Sequence, residues 1–150
     1  MIRFSIMVID IVFLLIGGGC LLIGVLLQIK WHRLWEKEGI RHTKKKTPEK
    51  LITSGLYQYV RHPHYLSNIL LTFGGSMVAY VLLDLSFPWS ILPFLPSILF
   101  IPFFILGAVE EERHLTEKFG DDYRSYQNRV PMFIPRFKLA KESSPSTINK

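Results

Sequence analysis

The stretch Ile6–Ile29, IMVIDIVFLLIGGGCLLIGVLLQI, decides what kind of molecule this is. From Ile11 to Leu27 it carries no charged side chain. With its flanks it is long enough to cross about 30 Å of hydrocarbon as a helix. Gly17-Gly18-Gly19 and Gly24 would weaken a helix in water, whereas in lipid small residues let neighbouring helices approach closely. A cleaved signal sequence is the rival reading, and Cys20 raises a lipoprotein signal. The apolar run continues past Cys20 as Leu21-Leu22-Ile23 with no small-residue cleavage site after it, so a retained span fits better. Asp10 lies near one end of the run, where exposure at the interface explains it more simply than an intramembrane role.

Two further apolar blocks follow. Pro63–Leu83 opens on a proline, which suits the first turn of a helix because its missing N–H would be unpaired there anyway. Gly74, Gly75, Ser76 and Ala79 again permit close packing. Asp84 to Pro88 is a short turn without Lys or Arg. Trp89–Val109 is interrupted by Pro93, Pro96 and Pro102, which kink a membrane helix whose neighbours satisfy the freed carbonyls. It is long enough to span once, so a re-entrant hairpin fits less well. The predicted fold class is an all-α integral membrane protein with three transmembrane helices and a C-terminal cytoplasmic amphipathic helix.

Composition agrees. The chain has 150 residues, enough for one domain, and is 49% hydrophobic with the apolar residues gathered in blocks. A single cysteine excludes a disulfide framework or a cysteine-rich metal site. The net charge of +6 raises nucleic acid as a partner, but its distribution argues against that reading. Nine of the 18 Lys and Arg fall between Lys30 and Arg61 and eight between Arg113 and Lys150, the segregation that the positive-inside rule produces. The expected partner is the lipid bilayer, with the amino terminus outside and the carboxyl terminus cytoplasmic. Trp31 and Trp35 read as an interfacial aromatic belt, and Lys44-Lys45-Lys46 as a solvated loop near anionic headgroups.

Beyond Val109 the composition turns charged. Leu115, Phe119, Tyr123, Tyr126 and Val130 recur at helical spacing, predicting an amphipathic element over about 110–129 that lies against the membrane face. Gly120 interrupts it, and Asp121 is placed to cap a second short helix. The expected organisation is an N-terminal span in 1–30, a membrane-embedded core in 31–137 and a disordered tail in 138–150.

Two polar stretches interrupt this pattern on the same predicted side. The first, Lys50–Tyr65, reads KLITSGLYQYVRHPHY; the second is Glu110-Glu111-Glu112. At Arg61-His62-Pro63 a helix begins, and its unpaired N–H groups and positive dipole end favour an anion. Arg61 adds a guanidinium that forks onto carboxylates. Tyr57, Tyr59 and Tyr65 add rings that attract cationic centres. Glu111 and Glu112 can take an ammonium group or sugar hydroxyls. Neighbouring glutamates point about 100° apart on a helix, so one of them faces the pocket. The bland alternative is that Arg61 meets lipid phosphate, His62 caps a helix, the tyrosines join the belt and the glutamates end a helix. His62 and His64 are too few for a metal site, and none is expected.

The combination LITSGLYQYVRHPHYL and EERHLTEKFGDDYRSYQNRVPMFIP resembles the isoprenylcysteine carboxyl methyltransferase family, which is related to the phospholipid methyltransferases. The likeness runs from about Glu49 to Pro135. RHP alone is weak; RHPxY followed, after two apolar blocks, by EExxLxxxFGxxYxxY is specific. The resemblance implies a membrane enzyme that binds S-adenosyl-L-methionine in a cytoplasm-facing pocket without a Rossmann domain, and the chain has no GxGxxG after a strand to compete. It implies Leu51, Ile52, Tyr57, His62, Pro63, His64, Tyr65 and Glu111 as cofactor contacts, with Glu112 supporting. It singles out no catalytic residue. Family members acting on prenylated proteins carry an arginine where this chain has Gly107, which puts that substrate in doubt. The expected acceptor is a small lipophilic molecule entering from the bilayer between the second and third helices. If the acceptor needs a base, His62 and Glu112 are the candidates. Two other readings are a non-catalytic interaction protein on the same scaffold, motivated by Gly107, and a small transporter, motivated by Asp10. So thin a bundle is compatible with a homodimer, though no motif speaks for one.

Overall fold

The computed structural model describes residues 2–37 and 50–135. The basic loop at 38–49 and the tail expected at 138–150 lie outside the described residues. All regular structure among them is helical: α1 (Ile2–Lys37), α2 (Pro63–Leu83), α3 (Leu95–Phe119) and α4 (Asp121–Arg129), with 3-10 turns at Gly55–Gln58 and Trp89–Phe94. Three helical stretches, Met7–Lys37, Pro63–Leu83 and Trp89–Phe119, are long and apolar enough to cross a membrane. The molecule is an integral membrane protein of the all-α class.

The second span begins and ends where its proline and following turn predicted. The other boundaries differ. α1 runs beyond Ile29 to Lys37, and Trp31 and Leu34 continue its contacts with the rest of the chain, against His64 and Gly55. The third span begins as a 3-10 turn around Pro93 before α3 starts, since proline withholds the N–H that an α-turn needs. The amphipathic element predicted over 110–129 is divided at Gly120, where the sequence placed its interruption. α3 continues without a break from the apolar block to Phe119, and α4 is separate. Gly120, not Asp121, is the cap between them: it has φ 54° and ψ −125°, a conformation open to glycine, and its N–H closes on the Thr116 carbonyl at 2.9 Å.

α2 is the central helix, packed along α1 on one flank and α3 on the other. The surfaces in contact are small or polar. Gly17 and Gly24 of α1 and Ser67, Gly74 and Ser76 of α2 are buried, while Leu15, Leu82, Leu99, Phe103 and Leu106 face outward. This is the arrangement expected in lipid, where close backbone approach and interhelical hydrogen bonds hold helices together and bulky apolar groups face the acyl chains. A Cβ placed on Gly74 would lie 2.6 Å from the Gly17 carbonyl oxygen. Ser67 donates to the Gln28 side chain across α1 and α2. Ser76 and Ser97 share a 2.8 Å hydrogen bond across α2 and α3. Phe13, Tyr80 and Phe94 close the end of the bundle remote from Pro63.

The one cluster of bulky core side chains among the described residues lies at the opposite end. Leu115, Tyr123 and Tyr126 are buried together, with Leu51, Tyr57, Phe119 and Val130 around them. The apolar stripe seen in the sequence therefore packs on the 51–60 loop.

Candidate functional site

His62 is the N-cap of α2, but its ring does not cap its own helix. It is 3% exposed and reaches across to α3. Its Nε2 lies 3.0 Å from Glu112 Oε1, and its Nδ1 lies 3.8 Å from Glu111 Oε2. The two polar stretches, some fifty residues apart in the chain, thus converge on one imidazole.

The neighbouring glutamates divide the work, as their angular separation predicted. Glu112 turns inward: besides His62 it accepts from Gln127 Nε2 at 2.9 Å and pairs with Arg61 Nη2 at 3.2 Å. Glu111 faces a cavity of about 340 Å³ that Tyr57, Arg61, His62, Pro63, His64 and Tyr65 also line. Gly107, Glu110 and His114 of α3 and Trp31 and Trp35 of α1 complete its wall. Tyr65 stands close enough to Glu111 to act on its charge, and its ring covers Gly107, where an added Cβ would come within 3.1 Å of the ring.

The carboxylate that Arg61 meets is Glu112. Two sequence expectations are corrected here. The N–H groups of Arg61 and His62 do not await an anion; they donate to the carbonyls of Pro131 and Met132 at 2.9 and 3.3 Å. The segment after α4 therefore straps the start of α2. Trp31 and Trp35 are not merely a belt. Trp31 is 7% exposed and stacks on His64 with ring centroids 4.4 Å apart. Both indole N–H groups donate to the Tyr57 hydroxyl at 3.1 Å.

Of the eight residues that the resemblance marked, six surround the main cavity: Tyr57, His62, Pro63, His64, Tyr65 and Glu111. Leu51 and Ile52 line a smaller neighbouring cavity of about 30 Å³, which shares Trp35, Tyr57, Arg61 and Glu111 with the larger one. Sequence reasoning missed the roles of Trp31, Trp35 and Gln127. No local signal marks Gln127, since a polar residue on an amphipathic helix reads as solvated.

Burial holds the site's phenols neutral. It raises Tyr57 above the ordinary tyrosine range despite the opposing hydrogen bonds from Trp35 and Trp31. Burial likewise raises Tyr123 and Tyr126. Tyr126 donates its hydroxyl to the Tyr57 carbonyl at 2.6 Å, tying α4 to the loop before α2.

A charged, aromatic-walled pocket thus lies at one end of the three apolar spans of an integral membrane protein. Residues 33–137 match the ergosterol biosynthesis ERG4/ERG24 family, and the chain belongs to it. It is similar to methanethiol S-methyltransferase 1 of Bradyrhizobium diazoefficiens, 36% identical over 92 residues that make up 61% of this chain and 28% of that protein. It is also similar to the protein-S-isoprenylcysteine O-methyltransferase of Schizosaccharomyces pombe, 33% identical over 57% of this chain and 33% of that protein. A methanethiol S-methyltransferase of a Pseudomonas species is 29% identical over 84% of this chain and 45% of its own length. The chain thus spans less than half the length of these curated relatives. Their names bear out the isoprenylcysteine carboxyl methyltransferase-like resemblance. No solved structure is significantly similar to the chain.

Proposed function

We propose that this protein is a membrane-embedded methyltransferase that uses S-adenosyl-L-methionine on a small lipophilic acceptor. The observation that carries the reading is the convergence of His62, Glu111 and Glu112 beside one cavity at the membrane edge. The methyltransferase relatives support it.

The residues present fit such a cofactor. Glu111 offers a carboxylate to a cationic group, and the rings of Tyr57, Tyr65 and Trp31 offer π-faces to a sulfonium. Arg61 has a buried Nε–H with no partner among the described residues, a donor that a ligand carboxylate or hydroxyl would satisfy. Leu51, Ile52, Pro63 and His64 supply the remaining walls. When bound, the cofactor supplies a methyl group already activated on sulfur. The protein's task is to align donor and acceptor and exclude water. His62 and Glu112, locked to each other and to Arg61, orient Glu111 and shape the pocket. Glu112 is fully engaged by that pairing, whereas His62 uses only Nε2 in it and keeps Nδ1 on the side of Glu111. The basic segments flank this end of the bundle, so the pocket opens toward the cytoplasm, while the acceptor reaches it from the bilayer between α2 and α3, beside Gly107.

Isothermal titration of the full chain in detergent with S-adenosylhomocysteine tests the reading. Micromolar binding is expected for the wild type and its loss in Glu111→Ala and His62→Ala. A wild type that does not bind refutes it.

A further inference from the structure

We propose that the Tyr57 hydroxyl is a donor-only contact to an acceptor atom of the bound cofactor, and that Trp31 and Trp35 are positioning residues that make it so. The proposal rests on the cofactor reading above and specifies one contact within it.

A phenol carries one O–H and two lone pairs. An indole N–H can only donate, which fixes the direction of both bonds to Tyr57. Trp31 Nε1 and Trp35 Nε1 each donate to the Tyr57 oxygen at 3.1 Å, so both lone pairs are occupied. Only the O–H remains, and it finds no hydrogen-bond acceptor among the described residues. Glu111 acts on Tyr57 through space, without a bond. Tyr57 lines both cavities, so a ligand in either is within reach of this residue.

The arrangement is rigid. The two tryptophans lie one turn apart on α1 with ring centroids 5.0 Å apart, forming a fork. Tyr126 holds the Tyr57 backbone at 2.6 Å. Two incoming N–H bonds also polarise the phenol and strengthen it as a donor. Such a hydroxyl accepts a carboxylate oxygen, a sugar oxygen or an unprotonated ring nitrogen of the ligand, and rejects a ligand N–H at that place. α1, most of which lies outside the family match, thereby takes part in recognition.

The test is a double-mutant cycle read by S-adenosylhomocysteine titration of the full chain. Tyr57→Phe should bind about tenfold more weakly, as for one lost hydrogen bond from a confined donor. Trp35→Phe should weaken binding by a smaller factor, and Tyr57→Phe/Trp35→Phe should bind no more weakly than Tyr57→Phe alone. Trp31→Phe in the Tyr57→Phe background provides the same comparison from the other side of the fork. Full additivity, or a Tyr57→Phe protein that binds like wild type, overturns the inference. A wild type that does not bind overturns the cofactor reading and this contact with it. The fork itself is read without ligand: the ultraviolet resonance Raman band for indole N–H bonding should shift in Tyr57→Phe, and an unchanged band overturns it.

Discussion

Removing the Glu112 carboxylate should be among the most damaging single changes in this protein. Glu112 accepts from three groups at once: His62 Nε2 at 3.0 Å, Arg61 Nη2 at 3.2 Å and Gln127 Nε2 at 2.9 Å. The side chains of Arg61 and Glu112 are only 13% and 16% exposed, so solvent screens their attraction weakly. In Glu112→Ala the guanidinium and the 2%-exposed imidazole keep their burial and lose their partner. Breaking a buried pair from one side costs about 3–5 kcal/mol, and the residual exposure argues for the lower end, about 3 kcal/mol. That corresponds to a shift of about a hundredfold in the folded-to-unfolded ratio. Glu112→Gln, which keeps an acceptor oxygen and the shape, should lose about half as much. The assay is reversible unfolding of the purified protein by sodium dodecyl sulfate in mixed micelles, with S-adenosylhomocysteine titration beside it. The reasoning also requires coupling: Gln127→Ala should destabilise the wild type and add little in the Glu112→Ala background. A Glu112→Ala protein within about 0.5 kcal/mol of wild type would refute the claim that this carboxylate organises the site.

Three further outcomes follow from the geometry. Gly74→Ala should destabilise the α1–α2 contact by about 1–3 kcal/mol in the same unfolding assay, because its Cβ would lie 2.6 Å from a backbone oxygen; Gly75→Ala, with open space around its Cβ, should be neutral. Gly107→Val should push the Tyr65 ring away from Glu111 and weaken S-adenosylhomocysteine binding by about tenfold or more without unfolding the bundle; unchanged affinity would show that this ring does not shape the pocket. Alkaline titration should erode stability. The folded-state pKa values of Tyr57, Tyr123 and Tyr126 are raised above the ordinary 10.0, so the folded chain holds these protons more tightly than the unfolded chain does. Their contribution is complete below pH 10 and is lost as pH rises toward the folded-state values. Tyr123→Phe should flatten that decline in a pH series of unfolding midpoints.

The spans and the ligand-pocket stretches were legible in the sequence because their signals are local. An uncharged run such as Ile11–Leu27 can satisfy its backbone in lipid only as a helix, so length and polarity suffice. Pro63 marks the start of α2 through its own missing N–H. The nearness of His62 to Glu111 and Glu112 was inferred from charge chemistry and from resemblance, both of which act at the level of short motifs. What only the tertiary structure decided is which partner each polar group takes. Trp31 and Trp35 sit at a span's end in any arrangement; that they face Tyr57 rather than lipid depends on how α1 rotates against α2, set by Gly17 meeting Gly74. Arg61 reads as a partner for a carboxylate, but that the carboxylate is Glu112 was decided by the fold, and Gln127 carries no mark of its role. The glycine at 120 marked the division of the amphipathic stretch, but that the stripe on both sides of it packs on the loop before α2 was decided by the fold. Hydrophobic patterning fixes how each segment meets solvent or lipid, whereas hydrogen-bond partners depend on positions accurate to about an ångström between distant segments, which only the packed bundle supplies.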